Sequence, residues 1–219
     1  MRKASLLILP GLALAGCATL SGAEADKPSA QVIVEERSAL EWQGYASQAD
    51  IDRIALLDEA WKEALATARK AGFVTAMERE GRLLVPDAGL RHPDPTPGSY
   101  SCRLVKLGGA AKGDPAFIAY KPFFCYVEIE NDRFTIVKQT GSQRPAGRLW
   151  DAGDHYIFLG SLVLGNESEP LAYGEDPERD MAGVWERIGP FRWRLAIPYP
   201  RNGGILDLFE LTPVADQPE

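Results

Sequence analysis

The chain has 219 residues, of which 45% are hydrophobic, 25% charged and 9% aromatic, the composition of an ordinary globular domain and not of a disordered, collagenous or coiled-coil chain. Its 24 Lys and Arg against 31 Asp and Glu give a formal charge of -7, which repels a phosphate backbone and argues against nucleic acid as a partner. With 21 Gly and 16 Pro, turns should be frequent and regular elements short, which favours a β-rich fold.

At the N-terminus, Arg2 and Lys3 precede an apolar run from Ala4 to Ala15. This is the layout of a secretory signal, and the run is too short to span a bilayer. Leu14-Ala15-Gly16-Cys17 resembles the bacterial lipobox. That resemblance implies diacylglyceryl attachment to Cys17 Sγ, cleavage before Cys17 and acylation of the new terminus. The alternative is a plain signal peptide cut after Ala23 or Ala25. Several acyl chains on one residue anchor stably where a single chain is marginal, so residues 1–16 are read as a lipoprotein signal peptide and the membrane as a partner through Cys17. Removing Arg2 and Lys3 leaves 22 basic against 31 acidic residues, a charge of -9. Ala18, where an Asp would signal retention, resembles lipoproteins sent to the outer membrane. The expected address is therefore an outer-membrane lipoprotein facing the periplasm. Residues 17–38 are small, polar and charged and read as a tether, with a short extended piece conceivable at Val32 to Val34.

With Cys17 assigned to lipid, Cys102 and Cys125 remain, an even pair in a protein destined for an oxidising space. A Cys102–Cys125 disulfide is expected, and closing a ring of this length stabilises by roughly 3 kcal/mol. The alternative is two separate buried thiols. No CxxC is present and the only histidines are His92 and His155, so neither a metal site nor a dithiol redox centre is expected, and no cofactor is.

From Ser47, with Asp50 three residues on, apolar residues recur at Ile51, Ile54, Leu57, Trp61, Leu65 and Ala68. The spacing predicts an amphipathic helix ending near Gly72, with a second helix over 75–84 closed by Pro86. Three prolines in Arg91 to Gly98 separate this helical part (47–85) from a strand-rich part (99–213) of one domain over 39–213, followed by a tail at 214–219. Seven strands are predicted at 100–107, 117–130, 134–139, 155–164, 182–188, 191–197 and 205–211, with an eighth conceivable at 148–150. Glu130 to Arg133 and Asp151 to Asp154 carry turn signals, and Gly189-Pro190 joins a hairpin. The fold class is α+β: two N-terminal helices lying on, or plugging, a mostly antiparallel small barrel or sandwich of seven or eight strands.

Catalytic signatures are missing: the sequence has no GxSxG, HExxH, P-loop or GxGxxG. No catalytic residue is assigned. The most polar stretch, Thr140 to Arg148, offers Gly141 and Gly147 for close backbone approach, and Arg144 and Arg148 as planar donors for a carboxylate or phosphate. Ser142, Gln143, Arg144 and Arg148 are therefore the candidate ligand-binding residues, at a barrel mouth. The competing reading is a bulged turn whose arginines pair with the domain's own carboxylates. The acidic run from Gly165 to Asp180 does not match an EF-hand and reads as a solvated loop with Arg179 pairing locally. Asp176, Glu178 and Asp180 are a weaker candidate acid/base set. Trp150, Trp185, Phe191 and Trp193 would form the barrel core or line a pocket.

Tyr100-Ser101-Cys102-Arg103 with Lys106-Leu107-Gly108, then TGSQRPAGRLW, FLGSLVLG, PLAYGEDPERDMAGVWERIGP and RWRLAIPYP, preceded by the helix bearing Leu57-Asp58-Glu59-Ala60-Trp61, resemble the DUF4893 family of alphaproteobacterial envelope proteins. The resemblance spans Trp42 to Pro213. It implies an envelope protein of unknown function and supplies no catalytic residue. The functional expectation is a non-enzymatic module binding a small ligand or an envelope partner. An inhibitor or assembly factor for another envelope protein is the alternative, and a carboxylate hydrolase the third reading.

Overall fold

The computed structural model describes residues 41–109, 113–138, 143–165, 167 and 169–214. Residues 1–16, Cys17, the tether and Ser142 lie outside the described residues, and of Gln143 only the backbone is described.

A 3-10 turn at Glu41–Gly44 leads to Ser47, which caps the first helix: its Oγ accepts from the Asp50 N–H at 3.2 Å. The single helix expected to reach Gly72 is in fact two, α1 (Gln48–Ala55) and α2 (Leu57–Lys70), broken at Leu56 with φ -91° and ψ 13°. A straight helix over this stretch would extend roughly 35 Å and could not follow a convex surface. The break lets Ile51 and Ile54 pack with Trp150, Ile157 and Val184, while Trp61 and Leu65 pack with Val105, Leu206 and Leu208. Leu57 touches both groups. The second expected helix is α3 (Val74–Glu80), continued by a 3-10 turn at Gly81–Leu84.

The strands are β1 (Gly98–Leu107), β2 (Phe117–Ala119), β3 (Phe123–Glu130), β4 (Arg133–Lys138), β5 (Gln143–Asp151), β6 (Tyr156–Leu164), β7 (Asp180–Gly189), β8 (Arg192–Pro198) and β9 (Leu206–Pro213). All pairings are antiparallel. From β3 to β9 each strand pairs with the next, and β9 returns to pair β1 over Tyr100 to Leu107. Eight strands thus close into a barrel. The extra strand, β2, pairs β1 at Val105 to Leu107, and β3 pairs β1 at Gly98 to Cys102. The two lie along one side of β1 as halves of the strand expected at 117–130, interrupted at Lys121-Pro122, where proline has no N–H to give the ladder. Asn131 and Asp132, with φ 48° and 63°, make the predicted tight turn between β3 and β4.

Of the stretch expected as a ligand-capturing barrel mouth or a bulged turn, Thr140 to Arg148, residues 140–142 lie outside the described residues and the rest is strand: β5 begins at Gln143, and the possible strand at 148–150 is only its end. Pro145 and Gly147 disguise it. Pairing with β4 covers Ala146 to Arg148 and stops beside Pro145. Gly147 is opposite Gly160, and a Cβ on either would lie 2.6 Å from the other's Cα and 2.7 Å from the Phe158 ring. The glycine pair is what admits Phe158 to the interior.

Inward positions of the strands form one buried cluster, with Tyr100, Val127, Leu149, Phe158, Trp185, Trp193 and Leu211 among its members. Cys102 and Cys125 form the expected disulfide within it, Cα to Cα 6.0 Å. The void left beside the disulfide has about 20 Å3, well below the several hundred Å3 of a small-molecule site. The barrel is filled. One end is closed not by a helix but by the proline-rich segment: the Pro93 carbonyl accepts from both Trp185 Nε1 and Trp193 Nε1 at 3.0 Å, and Tyr100 donates to the Thr96 carbonyl at 2.5 Å. What reads in sequence as a boundary is a plug.

The helices lie on the outer face of the barrel. Beneath them a row of charges crosses four strands in register: Glu186 opposite Arg194, Arg194 opposite Glu210, and Glu210 opposite Arg103. Arg103 also holds the Glu80 carboxylate of α3 with two hydrogen bonds, at 2.5 and 3.1 Å. Arg194 is fully buried, and each of its N–H groups is used, on the Glu186 carboxylate and on the carbonyls of Leu83, Val85 and Pro86. Its guanidinium stands 4.7 Å from the Trp61 ring centre.

Replacing Arg194 with Met strands three carbonyls and the Glu186 carboxylate, and should cost about 3–5 kcal/mol in denaturant unfolding. A loss below 1 kcal/mol would remove its organising role. A second buried charge gives a pH dependence. Asp207 is paired with Lys106 at 2.9 Å, its Oδ1 is unpartnered, and burial pushes its carboxyl up to about 6 against the pull of Lys106. Because this lies above the unfolded value of 3.8, the native state holds the proton more tightly. The associated stability is present below about pH 4 and is lost as pH rises through 6, a change of about 2–3 kcal/mol. Asp207→Asn should abolish that part of the pH dependence in unfolding titrations at pH 4.5 and 7.5.

Candidate functional site

The helices cover β6 to β9, β1 and the Trp150 end of β5, and leave the outside of β3, β4 and the rest of β5 open. Outward positions there fall in three registered levels, because side chains alternate along each strand and antiparallel pairing fixes their neighbours. The first level is Glu130, Arg133, Trp150 and Ile157; the second is Glu128, Thr135, Arg148 and Leu159; the third is Tyr126, Val137, Ala146 and Ser161. Small Ala146 lies between larger neighbours and makes a depression. Tyr45 bounds it at one end, its ring centre 4.1 Å from that of Trp150, and Pro170 to Tyr173 of the β6–β7 connection wall the side. The result is a groove of about 490 Å3, within the usual range for a small-molecule site.

Its walls are tied down. Ser161, buried, donates to the Leu171 carbonyl at 2.6 Å. Tyr173 donates to Asp50 at 2.5 Å and accepts from the Ser47 N–H at 2.9 Å. Burial alone would raise the Asp50 carboxyl, but hydrogen bonds from Tyr173, Arg53 and Ser47 outweigh it and bring it below the ordinary value. The rest of the acidic connection is fastened by Arg179, which pairs with Glu167 at 2.6 Å and Asp176 at 2.8 Å, as the local pairing expected from sequence. Asp180 is buried, which raises its carboxyl, and it accepts from the Gly174 N–H. Asp176 and Asp180 thus hold their own loop in shape.

Two arginines enter the groove. Arg133 lies against the Trp150 ring at 3.9 Å and pairs with Glu41 at 2.7 Å. Arg148 is half exposed, and its charged neighbour is Glu130 at 3.6 Å, beyond hydrogen-bonding distance. Of the candidate ligand-binding residues Arg148 is placed here, and Trp150, read from sequence as core or pocket lining, lines the groove as well. Arg144 is on the same face but two positions along, where it donates to the carbonyls of Leu164 and Glu167 and braces the loop. The site is on the barrel wall, not at a barrel mouth. Arg133, Tyr45 and Tyr173 were not legible as site residues, because they come from separate elements brought together only by the tertiary fold. The expected aromatic cluster divides: Trp185 and Trp193 are inside, Trp150 outside, and Phe191 is 70% exposed in the β7–β8 turn.

Tyr173→Phe removes one hydrogen bond to a buried carboxylate and should cost about 1–3 kcal/mol. Proteolysis within Gly165 to Arg179 should accelerate in the variant; an unchanged cleavage rate would mean that the wall does not depend on this contact.

No curated protein and no solved structure matches the chain. The family model described as a domain of unknown function, DUF4893, matches residues 42–211, a span that takes in the plug, the charge row and all three levels of the groove. The chain belongs to the DUF4893 family.

Proposed function

We propose that this protein is a lipid-anchored module of the outer membrane, facing the periplasm, that binds a small molecule in the groove on its outer barrel wall and carries out no chemical step. The observation that carries the reading is the contrast between a filled interior and an outer depression whose walls are fixed before any ligand arrives. A preformed site saves the ordering cost that a mobile one pays on binding. The lipobox-like Leu14 to Cys17 and the Cys102–Cys125 disulfide support an exported, anchored protein. Arg148 is the ligand-contacting arginine, and Arg144 supports the wall.

A second reading, docking of an envelope protein, is favoured by Tyr120 and Phe124, which are 44% and 40% exposed outside the groove, together with Val137 of its floor, 36% exposed.

Full-length protein extracted from membranes in mild detergent and examined by native mass spectrometry should carry a small adduct that Arg148→Ala loses, and Cys17→Ala should move the protein to the soluble periplasmic fraction. A bare mass, or an adduct kept by Arg148→Ala, would overturn the ligand reading in favour of the partner. Unchanged fractionation of Cys17→Ala would overturn the anchor.

A further inference from the structure

The groove is graded along its length. At one end stand Arg133, Arg148 and Glu130; the floor and wall beyond are Val137, Ala146 and Leu171. Arg133 is already neutralised by Glu41, whereas Arg148 and Glu130 are each about half exposed and stand 3.6 Å apart without a hydrogen bond. An exposed pair of this kind is worth little and is readily opened. A carboxylate or a phosphate or sulfonate group would take the Arg148 fork bidentately, and would hold it better than the distant Glu130 does. Val137, Ala146 and Leu171, which follow Arg148 along the floor and wall, are apolar, and the Ser161 hydroxyl next to Ala146 is already committed to the Leu171 carbonyl, so what lies over them is apolar.

We infer that the ligand is an amphiphilic anion, whose acidic head engages Arg148 and whose apolar body lies over Val137 and Ala146 against Leu171. This rests on the proposed small-molecule reading and narrows it to one chemical class. The apolar body could be an aromatic ring system or an alkyl chain, and two probes separate these sources.

Calorimetric titration of the full-length protein with naphthalene-2-carboxylate, and with the uncharged naphthalene-2-carboxamide, should show the acid binding about tenfold or more tighter, the size of effect expected for a charge-assisted pair. Arg148→Gln should reduce that preference to about twofold or less, since the neutral amide loses the charge term. Ala146→Met, which raises the floor without touching a charge, should weaken both compounds about equally. Octanoate binding as well as the aromatic acid indicates an alkyl source; octanoate failing where the aromatic acid binds indicates a ring. Equal affinity for acid and amide, a preference that survives Arg148→Gln, or an Ala146→Met variant that binds as tightly as the parent would each overturn the inference. If the extracted protein carries an adduct but the probes show no preference for the acid, the ligand class is wrong and the binding site stands. If neither adduct nor probe binding is seen, both fall.

Discussion

A buried guanidinium must find an acceptor for every N–H it carries, and Arg194 meets this requirement in a way that fixes the rest of the chain. Two of its donors go to Glu186 on the neighbouring strand, and the others go to the carbonyls of Leu83, Val85 and Pro86. The backbone that ends the helical part is thereby pinned to the outside of the barrel. Arg82 continues the attachment through the carbonyls of Ile188 and Ala88, and Leu90 bridges to Arg187. From there the chain turns over the barrel rim, so that the Pro93 carbonyl meets both indoles. Helix placement and plug placement are one constraint followed along a dozen residues.

That constraint also decides where open space is left. Trp185 and Trp193 need a hydrogen-bond acceptor when buried, and the plug that supplies it closes one end of the barrel. The remaining interior is taken by Phe158, seated through the Gly147 and Gly160 pair, and by the disulfide. An eight-stranded barrel has an interior that side chains can fill or a ligand can occupy, and here the side chains fill it. The depression on the outer wall, beside the helices, is the place left for the proposed ligand. There the depth of the groove depends on the small side chain of Ala146, and its rigidity on Ser161 and Tyr173.

Electrostatics separates the two faces. On the covered side, Glu186, Arg194, Glu210 and Arg103 alternate in a row and largely cancel one another under apolar helices, with Glu80 completing the set. On the open side the charges also balance, Arg133 with Glu41 and Arg148 with Glu130, but the second pair is exposed and makes no hydrogen bond. Arg194 on the covered side has all its donors engaged. The proposed ligand arginine does not.

The sequence by itself determined the helical and strand-rich halves, the Ser47 cap, the turn at Asn131-Asp132, the disulfide and the family, because each depends on periodicity, turn chemistry, cysteine arithmetic or long matching segments. It pointed to Arg148 but gave it the wrong setting, since Pro145 and Gly147 look like a loop when their partners on β4 and β6 are unknown. Only the tertiary structure decided that the helix breaks at Leu56, that Arg91 to Gly98 is a plug and that the groove draws Tyr45, Arg133, Arg148 and Tyr173 together. The physical reason is the same in each case: the barrel's curvature and the register of its strands are properties of pairings between distant segments, and no local pattern of residues carries them.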